Sequence, residues 1–351
     1  MPKELSDTGI ALYRKYRPRT FKDVIGQDHV VKVLLGALEL GTISHAYLFS
    51  GSRGTGKTSI ARIFAREIGT TENDLYEIDA ASNTSVDDVR ALNESVNTLP
   101  FESKYKVYIL DEVHMLSKSA FNALLKTLEE PPKHVIFILA TTEMEKLPET
   151  IISRCQTFTF KKPNQKILRE TTIHVAKDEG FTVEPDAAEL IALLGDGSFR
   201  DTLGILQKVI TASKDKKVSA EEVEIVTGAP KGELVWECVA ALSEKNLPKG
   251  LKTIKNASDG NIDMRTLITL MLHKIRTILL LKYSPDLENH FKEEFGDDEF
   301  QKLKSVSGDK NSHINSATVV ELIHAYDITG RSAVAELPLE LAFVKLVGQN
   351  S

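Results

Sequence analysis

The segment Gly51-Ser52-Arg53-Gly54-Thr55-Gly56-Lys57-Thr58 fills every fixed position of the pattern G-x-x-x-x-G-K-[S/T]. Glycines let backbone N–H groups curl around phosphate oxygens without Cβ clashes. A helix that starts behind the loop adds the positive end of its dipole. Lys57 offers a compact charge to the β- and γ-phosphates, and Thr58 a hydroxyl to Mg²⁺. The surroundings fit: an apolar run, Ala46–Ser50, precedes the loop, and a helical pattern, Ser59–Ile68, follows it. A chance glycine-rich turn would not need that context.

Four further groups belong to the same kind of chemistry. Asp111-Glu112 closes the apolar run Lys106–Leu110. Ligands of open α/β sheets bind at the carboxyl ends of strands, which brings these acids beside the loop. Asp111 is expected to hold Mg²⁺ through water, and Glu112 to orient and polarise the attacking water. Alone, the pair would suit an exposed acidic turn equally well. Thr141 and Thr142 end a run at Val135–Leu139, where a hydroxyl can read the γ-phosphate or the lytic water; ordinary turn chemistry is the alternative. Arg154, in Ser153-Arg154-Cys155, can reach a neighbouring subunit's nucleotide or form a surface ion pair. Arg200 opens a helix after Gly197-Ser198-Phe199, and either folds back onto the γ-phosphate or pairs with Asp201. Cys155 reads as a small buried residue, without a motif partner to make it a nucleophile.

These residues need a scaffold. The runs at 46–49, 75–79, 106–110 and 135–139 are rich in Val, Ile and aromatics without polar alternation. That predicts parallel strands buried on both faces. Between them, Ala120, Phe121, Leu124, Leu125 and Leu128 mark an amphipathic helix stopped by Pro131-Pro132. Ser85 and Asp88 suggest a capped start for a helix through Val89, Leu92 and Val96. The expected fold class is α/β with a covered parallel sheet. After residue 160 strand signals vanish. Helices are expected at Lys166–Glu179, Pro185–Leu194 and Arg200–Ser213, with a capping box at Ser219/Glu222. The stretch Leu267–Leu281 is apolar but carries His273, Lys274 and Arg276, so it reads as a buried helix.

Composition narrows the classes. The 351 residues suit two or three domains. A net charge of −6 excludes a surface that is basic throughout. Residues 1–68 nevertheless carry 11 Lys and Arg against 6 Asp and Glu, a net of +5, which leaves −11 for the rest. Two cysteines, Cys155 and Cys238, cannot make a disulfide framework or a four-cysteine zinc site. A reducing, cytoplasmic setting is expected, with no signal peptide and no membrane span.

In order and at matching spacing, YRKYRPRTFKDVIGQDHV, HAYLFSGSRGTGKTSIAR, EIDAASN, YKVYILDEVHMLSKSAFNALLKTLEEPP, FILATTE, TIISRCQTF and GSFRDTLGILQ resemble the gamma/tau family of bacterial DNA polymerase III. These are clamp-loader ATPases of the AAA+ superfamily. Roughly residues 12–210 carry the resemblance, and ELPLELAFVKL resembles the family's collar terminus. It implies ATP and Mg²⁺ as ligands, with Lys57/Thr58 as Walker A and Asp111/Glu112 as Walker B. It implies a nucleotide cradle of Gly51, Ser52, Arg53, Gly54, Thr55, Gly56, Lys57, Thr58 and Ser59. Arg17, Pro18, Val24 and Ile25 would pack around the adenine, and Arg200 would act as sensor 2. Thr141 or Thr142 would be sensor 1, and Arg154 the finger acting on a neighbour. Three domains follow: a RecA-like domain over 1–162, a helical lid over 163–228 and an all-α collar over 229–351. The implied partners are delta- and delta-prime-type subunits and self-copies in a pentamer, the sliding clamp, and primer–template DNA held by its backbone. The acidic collar region is expected to face away from that DNA. One departure is clear. Where the family carries a four-cysteine zinc module, this chain has only Gly69–Asp74, so no zinc is expected. The end at Ser351 resembles the short, gamma-like form, and tau-type tethering is not expected. Two other readings fit the motifs less well: a non-hydrolysing stator, and another AAA+ machine such as a branch-migration helicase.

Overall fold

The computed structural model describes residues 10–82 and 86–348. The chain divides into two compact units. The first holds residues 10–168 together with 197–201; the second holds 169–196 and 202–348. Ser85, the expected helix cap, lies outside the described residues.

The first unit is built on five parallel strands: β1 (Ala46–Ser50), β2 (Leu75–Asp79), β3 (Lys106–Asp111), β4 (Val135–Thr141) and β5 (Gln156–Thr159). Their order across the sheet is β2-β3-β4-β1-β5. Helices α1 (Leu12–Lys15), α2 (Asp28–Leu40), α3 (Lys57–Glu67), α4 (Val86–Val96), α5 (Lys118–Glu129) and α6 (Glu149–Ile152) connect or flank the strands; α7 (Gln165–Asp178) starts in this unit and has most of its length in the second. Period-two alternation decides which helix meets which face. Tyr47, Phe49, Val107, Ile109, Ile136 and Ile138 point to one side, against Val30 and Leu34 of α2 and Ile60, Ile63 and Phe64 of α3. Leu48, Tyr108, Leu110, Phe137 and Leu139 point to the other, against Val89 and Leu92 of α4 and Phe121, Leu124 and Leu128 of α5. The result is a three-layer sandwich with two apolar interfaces.

Four of the five strands coincide with the apolar runs. β5 departs from the expectation. Its sequence, Gln-Thr-Phe-Thr, buries only Phe158, because it is an edge strand with one neighbour. β2 is the opposite edge and is half-exposed rather than buried on both faces. Register brings the strand ends level: Ser50 lies beside Thr141, and Asp79 beside Asp111. The carboxyl edge of the sheet therefore collects the chemistry-bearing residues.

The second unit is mostly helical, as expected, with α8 (Pro185–Leu194), most of α9 (Phe199–Ala212), and α10 (Ala220–Thr227). Ser219 and Glu222 form the anticipated reciprocal cap at the start of α10. A two-residue parallel pair, β6 (Thr182–Val183) with β7 (Lys217–Val218), was not legible as strand. The remainder is α11 (Gly232–Ser243), α12 (Leu247–Asp259), α13 (Met264–Tyr283), α14 (Glu288–Glu294), α15 (Asp297–Gly308), α16 (Ser316–Thr329) and α17 (Leu337–Val347). Leu267, Ile268, Met271, Ile275 and Ile278 make α13 the buried centre of this unit. Among the described residues, no helix is long and apolar enough to cross a membrane.

Candidate functional site

The phosphate loop leaves β1 at Gly51 and ends where Lys57 opens α3. Two glycines are sterically required. Gly51 has φ +147°, and a Cβ there would lie 2.6 Å from the Phe160 carbonyl oxygen. Gly54 has φ +73°, and its Cβ would lie 2.0 Å from Ser198 Oγ. The loop is fastened at both ends. Gly51 N–H donates to the Thr141 carbonyl at 3.2 Å, and Phe199 N–H to the Gly54 carbonyl at 3.1 Å. Thr55 Oγ1 donates to the Ser52 carbonyl at 2.8 Å.

Lys57 is buried, and its Nζ donates to the carbonyls of Gly51 (2.7 Å) and Ser52 (3.0 Å). Burial draws its pKa below the ordinary lysine range, against the upward pull of Glu112 and Asp111; nearby Arg200 pushes the same way as burial. Thr58 Oγ1 donates to Asp111 Oδ2 at 2.8 Å. That contact joins the loop to the end of β3. The two oxygens are hard donors of the kind Mg²⁺ takes, so this pair fits the ion. Among the described residues no cluster of three or more His, Cys, Asp or Glu side chains could hold a metal by itself.

Glu112 follows with φ +50°, a left-handed turn that throws its side chain back over the sheet edge. Its Oε2 accepts from Thr142 Oγ1 at 2.9 Å and Thr142 N at 3.3 Å. Thr141 is fully buried; its Oγ1 accepts from Glu143 N at 3.0 Å and lies 3.1 Å from His114 Nδ1. Glu143 is held by Lys146 at 2.7 Å, which lowers the carboxyl pKa. His114 and Glu143 were not singled out in the sequence. His114 lies two residues beyond Glu112, and only the fold shows that its ring reaches Thr141.

The residues expected around the adenine lie on the other flank of the loop. Arg17 Nε donates to Ser59 Oγ at 2.9 Å. Burial, then neighbouring Arg62, lowers the Arg17 pKa, against the raising effect of Glu77. Arg17, Pro18 and Ser59 line a small cavity together with Arg14, Arg19, Arg62 and Arg66. The spacing of Arg62 and Arg66 from Ser59 along α3 (i+3 and i+7) was the available signal for this basic wall. Val24 packs on the core and Ile25 is half-exposed. Arg200 sits with its guanidinium 5.7 Å from the centre of the Tyr13 ring.

Arg154 is not brought to this loop. It pairs with Glu129 at 2.5 Å and donates to the Thr150 carbonyl at 2.7 Å. The chain returns through α6 to the start of β5, where Gln156 lies beside Tyr47. Arg154 therefore stands at the amino edge of the sheet, and the phosphate loop at the carboxyl edge. Cys155 is half-buried, and burial pushes its thiol up to about 12, which suits a packing residue.

Glu72–Asp74 forms one tight turn before β2. The buried Asp74 carboxylate accepts N–H groups from Phe101 (2.6 Å), Glu102 (3.0 Å) and Ser103 (2.8 Å).

A five-stranded parallel sheet with this loop after β1 and an acidic pair after β3 defines an ATPase-type fold of the AAA+ class. The Thermotoga maritima RuvB Holliday junction branch migration motor shares the fold, with a TM-score of 0.51 at 21% identity over 84% of this chain and 86% of that one. Residues 70–164 match the family model "DNA polymerase III, delta subunit". DNA polymerase III subunit tau of Bacillus subtilis is 43% identical over 84% of this chain and 56% of its own length. DNA polymerase III subunit gamma of Buchnera aphidicola is 32% identical over 97% of both chains. The chain belongs to the gamma/tau family of DNA polymerase III subunits. It spans about half the length of several curated relatives it matches.

Proposed function

We propose that this chain is an ATP-hydrolysing subunit of a clamp loader, which uses ATP to open a sliding clamp and close it on primed DNA during replication. The observation that carries the reading is the Thr58–Asp111 contact, which joins the two ATP-handling motifs at one sheet edge with Glu112 beside them. Family membership supports the clamp-loading part.

In this mechanism the loop's N–H groups and Lys57 bind the phosphates. Glu112 orients the attacking water, and Thr142 and Arg200 read the γ-phosphate. Thr58 and Asp111 would hold Mg²⁺, which when bound neutralises charge on the β- and γ-phosphates. Catalysis is by position and electrostatics, with no covalent protein intermediate. Arg154 acts on the nucleotide of a neighbouring copy, consistent with its place at the opposite sheet edge. Residues 1–162 serve as the motor domain, 163–228 as a lid and 229–351 as a pentamer-forming collar. Partners are delta- and delta-prime-type subunits, the clamp, and the DNA backbone, and the assembly works in the cytoplasm. DNA binding should weaken with salt and ignore sequence.

The test is ATP turnover by the assembled complex with and without clamp and primed DNA. Lys57→Ala should abolish ATP-dependent loading. Arg154→Ala should keep nucleotide binding and lose about a hundredfold or more of the DNA-stimulated rate. An assembled wild-type complex that binds ATP without turnover would make the chain a stator instead. Loss of binding in Arg154→Ala would place that residue's action within its own subunit.

A further inference from the structure

We propose that His114 is a positioning residue for Glu112, and that it divides the labour of the two adjacent threonines: Thr141 is locked as structure, and Thr142 is left as the hydroxyl that can exchange. The proposal rests on the ATP-hydrolysis reading and deepens it.

The hydrogen-bond inventory carries the argument. The His114 side chain is 6% exposed, so its ring nitrogens must find protein partners. Nδ1 lies 3.1 Å from Thr141 Oγ1 and Nε2 lies 3.2 Å from Glu143 Oε1. Thr141 Oγ1 also accepts the Glu143 N–H at 3.0 Å. The other Glu143 oxygen holds Lys146. The ring is thereby anchored through both nitrogens, between Thr141 at the end of β4 and the Glu143–Lys146 pair.

Two consequences follow. The Thr141 hydroxyl is buried and engaged by the Glu143 N–H and the His114 ring, so it is held within the protein. Nδ1 also stands 3.4 Å from Glu112 Oε2, so the anchored ring bounds the carboxylate on one side, while Thr142 N and Oγ1 donate to the same oxygen. His114 thus confines Glu112 to the Thr142 side. Of the two hydroxyls, Thr142 is the one placed to trade the carboxylate for a phosphate oxygen, which would free Glu112 for water.

The experiment is steady-state ATPase of the full chain assembled with its partner subunits, comparing wild type with His114→Ala, His114→Gln and Thr141→Val. His114→Ala should lower kcat about tenfold or more while KM for ATP stays within about twofold. His114→Gln keeps an amide able to bond both Glu143 and Thr141, and should recover most of that loss. Thr141→Val removes the same hydrogen bond without touching the ring and should reproduce the kcat defect, which keeps the test open if His114→Ala does not fold. An active wild type with unchanged kcat in both His114→Ala and Thr141→Val overturns the proposal. Equal losses in His114→Ala and His114→Gln overturn it as well, because ring shape would then matter and hydrogen bonding would not. A wild type without turnover removes the hydrolysis reading itself, and the proposal falls with it.

Discussion

Asp74→Asn should unfasten the short turn that leads into β2. Asp74 Oδ2 accepts from Glu102 and Ser103, and Oδ1 from Phe101. An asparagine has one carbonyl oxygen. Its best orientation keeps the Glu102 and Ser103 bonds and turns NH₂ toward the Phe101 N–H, donor against donor. One bond to a charged acceptor is lost, and two more lose their charge assistance. The expected cost is about 2–4 kcal/mol at pH 7. Burial by itself would raise the Asp74 pKa, but the backbone N–H donors of residues 101–103 outweigh it and bring it down to about 2 from 3.8. The folded pKa lies below the unfolded one. The carboxylate's contribution is therefore complete above about pH 4 and lost as pH falls toward 2. Urea unfolding followed by far-UV ellipticity at pH 7 and pH 2.5 measures both quantities. Trp236, the single tryptophan, lies in the second unit and its fluorescence serves as an internal control. A variant within about 0.5 kcal/mol of wild type at pH 7 would refute the reasoning. So would a penalty of the same size at pH 2.5.

Gly54→Ala drives a methyl into Ser198 at a positive φ, and should cost about 2–4 kcal/mol in urea unfolding. Adding Ser198→Gly should recover part of that; no recovery would mean the clash is not with Ser198. Cys155 and Cys238 both have thiols pushed up to about 12 by burial, so alkylation at pH 8 should be slow in the native protein and fast in urea. Rapid native labelling at either position would contradict the packing described. Lys57→Ala, Arg154→Ala and the His114 series complete the set.

What could be read from the chain, and what could not, follows from how local each signal is. The phosphate loop, Asp111-Glu112 and the apolar strands carry their meaning within a few residues, and so does the α5 stripe. β5 escaped because an edge strand with one buried residue has no apolar run to display. β6 and β7 escaped because two residues cannot show a period. His114 escaped for a different reason. Its partners Thr141 and Glu143 are about thirty positions away, and nothing local distinguishes it from an ordinary half-exposed histidine. The basic wall of Arg14, Arg19, Arg62 and Arg66 likewise depends on α3 meeting the N-terminal segment. The different surroundings of Thr141 and Thr142 likewise show only in their hydrogen bonds, because the two are neighbours at the end of one strand.

The separation of Arg154 from the phosphate loop gives each molecule a direction. One rim of the sheet bears a nucleotide loop, and the other bears an arginine that the loop of the same chain does not touch. Under the proposed action of Arg154 on a neighbouring copy, contacts between such unlike rims would be heterologous, and copies would join head to tail. In an arc that does not close, every junction would then complete one catalytic centre, and the copy at one end would keep a loop that no copy serves. The count of working centres would be set by junctions between molecules, and a stretched or missing junction would silence one centre while leaving its neighbours intact.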